Sequence, residues 1–200
     1  MSESLNQNFN HLKVHTQYSI CEGAAKIDDL QEYCKSNKIK SLGISDTSNL
    51  CGALEFAEKI SKSGTQPIIG TQINFKLNDT TGLLPLFALN ETGYKNIIEL
   101  SSNSYLENDE LSDPHVNFDE LLKSSDGVSV FSGTVLGLFG KLFDKGKFTE
   151  INEIYSKIKE VFGDRFYLEI QRHNDTNENG FEKFNLKKSV ELEIPIIATN

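Results

Sequence analysis

Three stretches near the start decide how this chain is read: HLKVHTQYSICEGAAK (residues 11–26), ISDTSNLCGALEF (residues 44–56) and PIIGTQINF (residues 67–75). The first opens as a short strand over 11–16 and runs through a polar turn. A helix over 26–37 follows, with Ile27, Leu30 and Cys34 on one face. A second strand covers 40–44. A helix over 52–62 then carries Leu54, Phe56, Ala57 and Ile60. The third stretch opens a strand over 67–77.

The same alternation continues outward from these three. A fourth strand is predicted over 83–89 and a helix over 92–105. The polar, acidic loop 107–117 leads to a short helix over 118–123 and a fifth strand over 127–132. Residues 148–162 form the clearest helix, with Ile151, Ile154, Tyr155, Ile158 and Phe162 at helical spacing. A sixth strand over 166–171, a helix over 178–191 and a seventh strand over 195–198 complete the pattern. Strands alternating with helices imply an α/β fold with parallel pairing, in either an open sheet or a closed barrel. The organisation expected is a tail over 1–8 and one domain over 9–200. The last strand has no covering helix after it, so the expectation is that the domain continues beyond residue 200.

Composition narrows the function classes. The chain has 200 residues, 38% hydrophobic and 24% charged, with a formal net charge of −9. An acidic chain is a poor electrostatic partner for phosphate backbones. The three cysteines, Cys21, Cys34 and Cys51, form no CxxC pair, which points to a reducing compartment, the cytoplasm. No membrane span and no secretory leader are legible.

Several weaker signals have ordinary readings. GTVLGLFGK (residues 133–141) fails as a phosphate loop because Val135 stands where the first glycine belongs and no Ser or Thr follows Lys141. No nucleophile-elbow GxSxG occurs. Phe9, Phe56, Phe75, Phe87 and Phe131 read as core, and His115 as solvated. His11 and His15, four apart, carry no functional meaning by themselves.

Taken together with ETGYKN (residues 91–96), DRFYLEIQRHN (residues 164–174) and IPIIATN (residues 194–200), the three opening stretches resemble the N-terminal PHP domain of bacterial DNA polymerase III alpha subunits. The resemblance runs from Phe9 to Asn200. It implies a distorted (β/α)7-type barrel, truncated before its last elements, within a longer chain that synthesises DNA. It implies magnesium ions in a polymerase domain outside these residues and no cofactor within them. The partners implied are the rest of the polymerase chain, a separate proofreading 3′–5′ exonuclease subunit, and the sliding clamp and DNA through the parent chain.

The resemblance implies that active members of the family use histidines and carboxylates to hold a cluster of metal ions at the strand ends, and that the metals activate water on a phosphoester. The resemblance maps those ligands onto positions that mostly lack ligand chemistry here. The His-x-His of the first strand becomes Lys13 and His15. The acid of the following turn is retained as Glu22. The Asp-His-Gly-Asn motif becomes Asp46-Thr47-Ser48-Asn49. The bridging glutamate becomes Gln72, the histidine opening the fourth strand becomes Leu83, and the ligand after the fifth strand becomes Thr134. His173 lies beside them in the matched LEIQRHN segment. His15 and Glu22 alone keep clear metal-binding chemistry, so the expectation is a vestigial site with no bound metal and no catalytic residues. Lys13 would replace lost positive charge and pair with Asp46 or Glu22. The competing expectation is a metal-dependent phosphoesterase or intrinsic 3′–5′ proofreading exonuclease, which needs those positions to be metal-competent.

Overall fold

A computed structural model describes residues 9–108 and 112–199; the expected tail, residues 1–8, lies outside them. In chain order the elements are α1 (Ile27–Asn37), β1 (Ser41–Thr47), α2 (Ala53–Lys62), β2 (Gln66–Leu77), β3 (Thr80–Ala88) and α3 (Glu91–Leu106), then β4 (Val116–Asn117), α4 (Phe118–Lys123) and β5 (Val128–Phe131), and finally α5 (Leu138–Asp144), α6 (Phe148–Phe162), β6 (Phe166–Ile170), α7 (Glu178–Leu192) and β7 (Ile196–Ala198). The strands form one sheet in the order β1-β2-β3-β5-β6-β7, and the two-residue β4 lies beside Phe75 and Lys76 of β2.

The α/β class stands, but the pairing is mixed rather than parallel. β1 with β2, β5 with β6, and β6 with β7 run parallel. β3 is antiparallel to both β2 and β5. The cause is the connection between β2 and β3. Only Asn78 and Asp79 separate them, and a parallel partner would need a crossover of a dozen or more residues. Asn78 takes the left-handed backbone conformation (φ 53°) that such a tight hairpin requires.

The expected first strand over 11–16 is also smaller than its sequence suggests. It contributes isolated parallel bridges, Val14 to Ile44 and Thr16 to Ala25. Backbone hydrogen bonds from Gly43 to His11 and from Ser45 to Val14 lay it against β1. Gly43 permits this approach, because a methyl group there would stand 2.3 Å from the Leu12 carbonyl oxygen.

Two cores hold the layers together. The larger packs the sheet, through residues such as Ile73, Leu84, Val130 and Leu168, against the face of α6 carrying Ile151, Tyr155, Ile158 and Phe162. The smaller joins α1 and α2 to β1 through Ile27, Cys34, Leu42, Ile44, Phe56 and Ile60. Of the apolar residues carried by α2, Leu54 is exposed, while Ala53 is buried in phase with Phe56 and Ile60. Phe9 is likewise exposed, while Phe56, Phe75, Phe87 and Phe131 are buried as expected. His115 is half-buried rather than solvated, its ring nitrogen 2.8 Å from the Asp113 carbonyl.

The sheet curls into a half-barrel. Its curvature is visible in one contact: Lys13, on the segment flanking β1, reaches Glu169 on β6 near the opposite edge. Among the described residues no helix is long and apolar enough to cross a membrane.

Candidate functional site

Inside the curl lies a cleft of about 540 Å³. Lys13, His15, Glu22, Gln72, Leu83, Thr134 and His173 all line it, together with Gln171 and Gly137. Positions scattered over most of the chain therefore converge in space. Asp46 and Thr47 are not among its lining residues; Thr47 bonds one of them, Glu22, and Asp46 holds the turn between His15 and Glu22.

Each side chain is placed by the element that carries it. Asp46, near the end of β1, is buried and accepts three hydrogen bonds: from the Thr16 backbone N–H (2.6 Å), the Thr16 hydroxyl (2.7 Å) and the Ser19 hydroxyl (2.7 Å). These donors come from the turn after the first segment, so the carboxylate clamps that turn against the sheet. The Thr47 hydroxyl donates to Glu22 at 2.5 Å, which orients the acid at the cleft mouth.

His15 sits between two partners. Its Nε2 is 3.1 Å from the Gln72 side-chain nitrogen, and its Nδ1 is 3.4 Å from the Ser19 hydroxyl. The network assigns the protons. With the Gln72 amide nitrogen facing the ring, Nε2 is the acceptor and Nδ1–H points toward Ser19; the opposite amide orientation reverses the tautomer. Ser19 in turn donates to Asp46 and accepts from the Thr47 N–H. Burial is the largest influence holding the His15 pKa below 6.5, followed by the positive charge of Lys13; Glu22, Asp46 and Glu169 oppose them.

Lys13 pairs with neither Asp46 nor Glu22. Asp46 holds the turn through three hydrogen bonds, and the exposed Glu22 accepts from Thr47. The buried ammonium instead lies 3.0 Å from Oε1 of Glu169, whose side chain is fully buried. The Thr199 hydroxyl donates to the same oxygen, and the Glu169 N–H donates to the Ser132 hydroxyl. Oε2 of Glu169 has no hydrogen-bond partner among the described residues. Glu169 is thus the central site residue that sequence reasoning missed. A signal was present: a glutamate inside the otherwise apolar FYLEI strand, a position where glutamate is depleted and, when buried, needs a partner.

His173 follows β6, with an exposed side chain at the cleft rim and its backbone N–H bonded to Glu178 at 2.6 Å. Leu83 contributes an apolar wall, and Thr134 accepts a hydrogen bond from the Leu136 N–H. Among the described residues, no group of three or more His, Cys, Asp or Glu side chains is arranged to hold a metal ion. The cleft can position polar groups and neutralise charge internally.

Comparison with known proteins fits this geometry. The PHP domain family matches residues 11–173. DNA polymerase III subunit alpha of Caulobacter vibrioides is 35% identical over 213 aligned residues, covering 100% of this chain and 18% of that protein. The corresponding subunit of Borreliella burgdorferi is 36% identical, covering 98% of this chain and 18% of its own length. The chain therefore spans under a fifth of the curated relatives it matches. Among solved structures, an amidohydrolase from Chromobacterium violaceum superimposes with a TM-score of 0.60 at 10% identity, covering 96% of this chain and 86% of that one, which is a likeness of fold. On these matches the chain belongs to the PHP domain family, in the form found in DNA polymerase III alpha subunits.

Proposed function

We propose that this domain is a metal-free scaffold within a polymerase chain, with a cleft that descends from a metal site but performs no hydrolysis. The observation that carries the reading is the buried Lys13–Glu169 pair. A protonated amine has no lone pair to give a metal, and its charge opposes a cation in the same space. The donor set fits a cluster no better elsewhere. Gln72 is a neutral amide engaged with His15, Leu83 is apolar, and Thr47 and Thr134 are hydroxyls where the family uses imidazole or thiolate. His15 and Glu22 remain, too few for a multi-metal phosphoesterase.

The parent chain, on this reading, extends DNA from deoxynucleoside triphosphates in the cytoplasm, using magnesium ions on carboxylates of a separate polymerase domain. It engages DNA and the sliding clamp through regions outside these residues; the net charge of −9 is in keeping with a segment that does not grip the phosphate backbone. The role left for the PHP domain is to brace the polymerase and to dock a separate proofreading 3′–5′ exonuclease subunit.

Metal analysis of the purified full-length subunit, paired with nuclease assays in added manganese or zinc, tests this. The expected result is no stoichiometric metal, no nuclease activity in the subunit alone, and exonuclease activity only when the separate subunit co-purifies. Two or more metals per chain with intrinsic 3′–5′ exonuclease or phosphoesterase activity would overturn it in favour of a working enzyme.

A further inference from the structure

Away from the cleft, α5, α6 and α7 leave a second concavity, a groove of about 560 Å³. Phe143, Phe148 and Phe184 form its walls, and Lys187 and Lys188 stand on one lip. The three rings contact one another, with centroid separations of 5.3 Å, 5.6 Å and 5.9 Å. Phe143 and Phe184 pack toward the core, but Phe148, at the first position of α6, is 48% exposed. A single exposed apolar residue needs no explanation. An aromatic-walled concavity with a polar rim is a different feature, of the kind that receives a side chain from outside.

The lip differs in charge from the rest of the chain. Lys187 and Lys188 share one carboxylate, Glu191, at 3.5 Å and 2.6 Å, which leaves one positive charge in excess beside the rings. The Lys188 ammonium also lies 5.7 Å from the centre of the Phe184 ring, at the groove wall itself. On a chain of net charge −9, a basic lip on an apolar groove selects for an acidic partner.

We infer that this groove docks an acidic peptide segment of a partner protein. A large apolar or aromatic side chain of the segment enters the groove and packs against the exposed faces of Phe148 and Phe184, and a neighbouring carboxylate engages Lys187 and Lys188 in competition with Glu191. A nucleic acid strand fits less well. The rings tilt against one another instead of presenting open parallel faces for base stacking, and the excess charge is too small for a phosphate backbone. The inference deepens the docking role proposed above, rests on it, and gives it a surface and a recognition chemistry.

Panning a random peptide library on the purified full-length subunit tests it, with Phe148→Ala and Lys187→Glu variants checked for folding by circular dichroism. The expected result is enrichment of peptides that place an aromatic or large aliphatic residue beside Asp or Glu. Each variant should weaken those peptides by about tenfold or more, and added salt should weaken them further. Enriched peptides without that composition, or binding that both variants leave intact, would overturn the inference. So would displacement of the peptides by oligo-dT, or self-association of the chain that the Phe148→Ala variant abolishes. Failure of the wider role reads differently. An exonuclease subunit that co-purifies equally with wild type and both variants keeps the docking role and removes the groove. Groove-dependent peptide binding with no exonuclease in the complex keeps the groove and removes the exonuclease.

Discussion

The ammonium of Lys13 lies 3.0 Å from the carboxylate of Glu169, a residue 156 positions later in the chain, and both side chains are buried. Removing one member of such a pair strands the other charge away from water. Replacing both with apolar groups of similar volume removes the problem along with the interaction. Lys13→Met should therefore cost about 3–5 kcal/mol of stability, whereas Lys13→Met with Glu169→Met should recover most of that loss. Urea denaturation of the four corners of this double-mutant cycle provides the measurement. Equal losses in the single and double variants would show that the pair is not the source of the effect.

His15 gives the fold a pH dependence with a definite sign. Its folded pKa lies below the ordinary 6.5, mainly because the ring is partly buried and faces Lys13. As pH falls through 6.5 the unfolded chain takes up this proton first. The stability associated with the neutral ring is thus fully present above 6.5 and is lost as pH falls toward the folded value. Wild type should lose stability on acidification from neutral pH more steeply than His15→Gln, a variant with no titrating ring. Denaturant midpoints measured against pH for the two proteins give the comparison.

Gly43→Ala addresses how the cleft is built. The added methyl would meet the Leu12 carbonyl at 2.3 Å, so the first segment has to move off β1, and that segment carries both Lys13 and His15. A loss of about 1–3 kcal/mol is expected, in the range of overpacked sites. The His15 ring resonances in NMR spectra should shift at the same time, which a general loosening far from the cleft would not produce.

Chelation bears on the scaffold reading from another direction. A domain whose cleft is neutralised internally should melt at the same temperature with and without EDTA, and added zinc should not raise its Tm. A domain that holds structural metal gains stability by mass action as free metal rises. A zinc-dependent increase in Tm that disappears in the Glu22→Gln variant would identify retained metal binding at the cleft mouth.

Much of this architecture is legible in local pattern. Helix α6 follows from apolar residues recurring at 151, 155, 158 and 162, and β6 from the run FYLEI between two polar segments. The convergence of Lys13, His15, Glu22, Gln72, Leu83, Thr134 and His173 was accessible through resemblance to a family, since no spacing rule brings such distant positions together. What local pattern missed has physical causes. The antiparallel course of β3 is dictated by a two-residue turn whose meaning depends on counting the connection rather than the strands. Asp46, the partner expected for Lys13, is instead held by three donors from the turn over 16–23, and which donors a carboxylate meets is invisible in a pattern of residue types. Glu169 was overlooked because its partner lies across the curled sheet.

Ribosomal synthesis adds a time to that long-range pairing. Lys13 emerges from the ribosome 156 residues before Glu169, and at elongation rates of roughly 5–20 residues per second the gap is about 8–30 s. Helices and hairpins form within microseconds, so α1, β1 and the β2–β3 hairpin have ample time to assemble while the amine of Lys13 stays in water. The cleft is consequently among the last parts of the nascent domain to close. A chaperone that captures partly made chains would meet the segment from His11 to Thr16 still open, with its charged side chain waiting for a carboxylate that has not yet been translated.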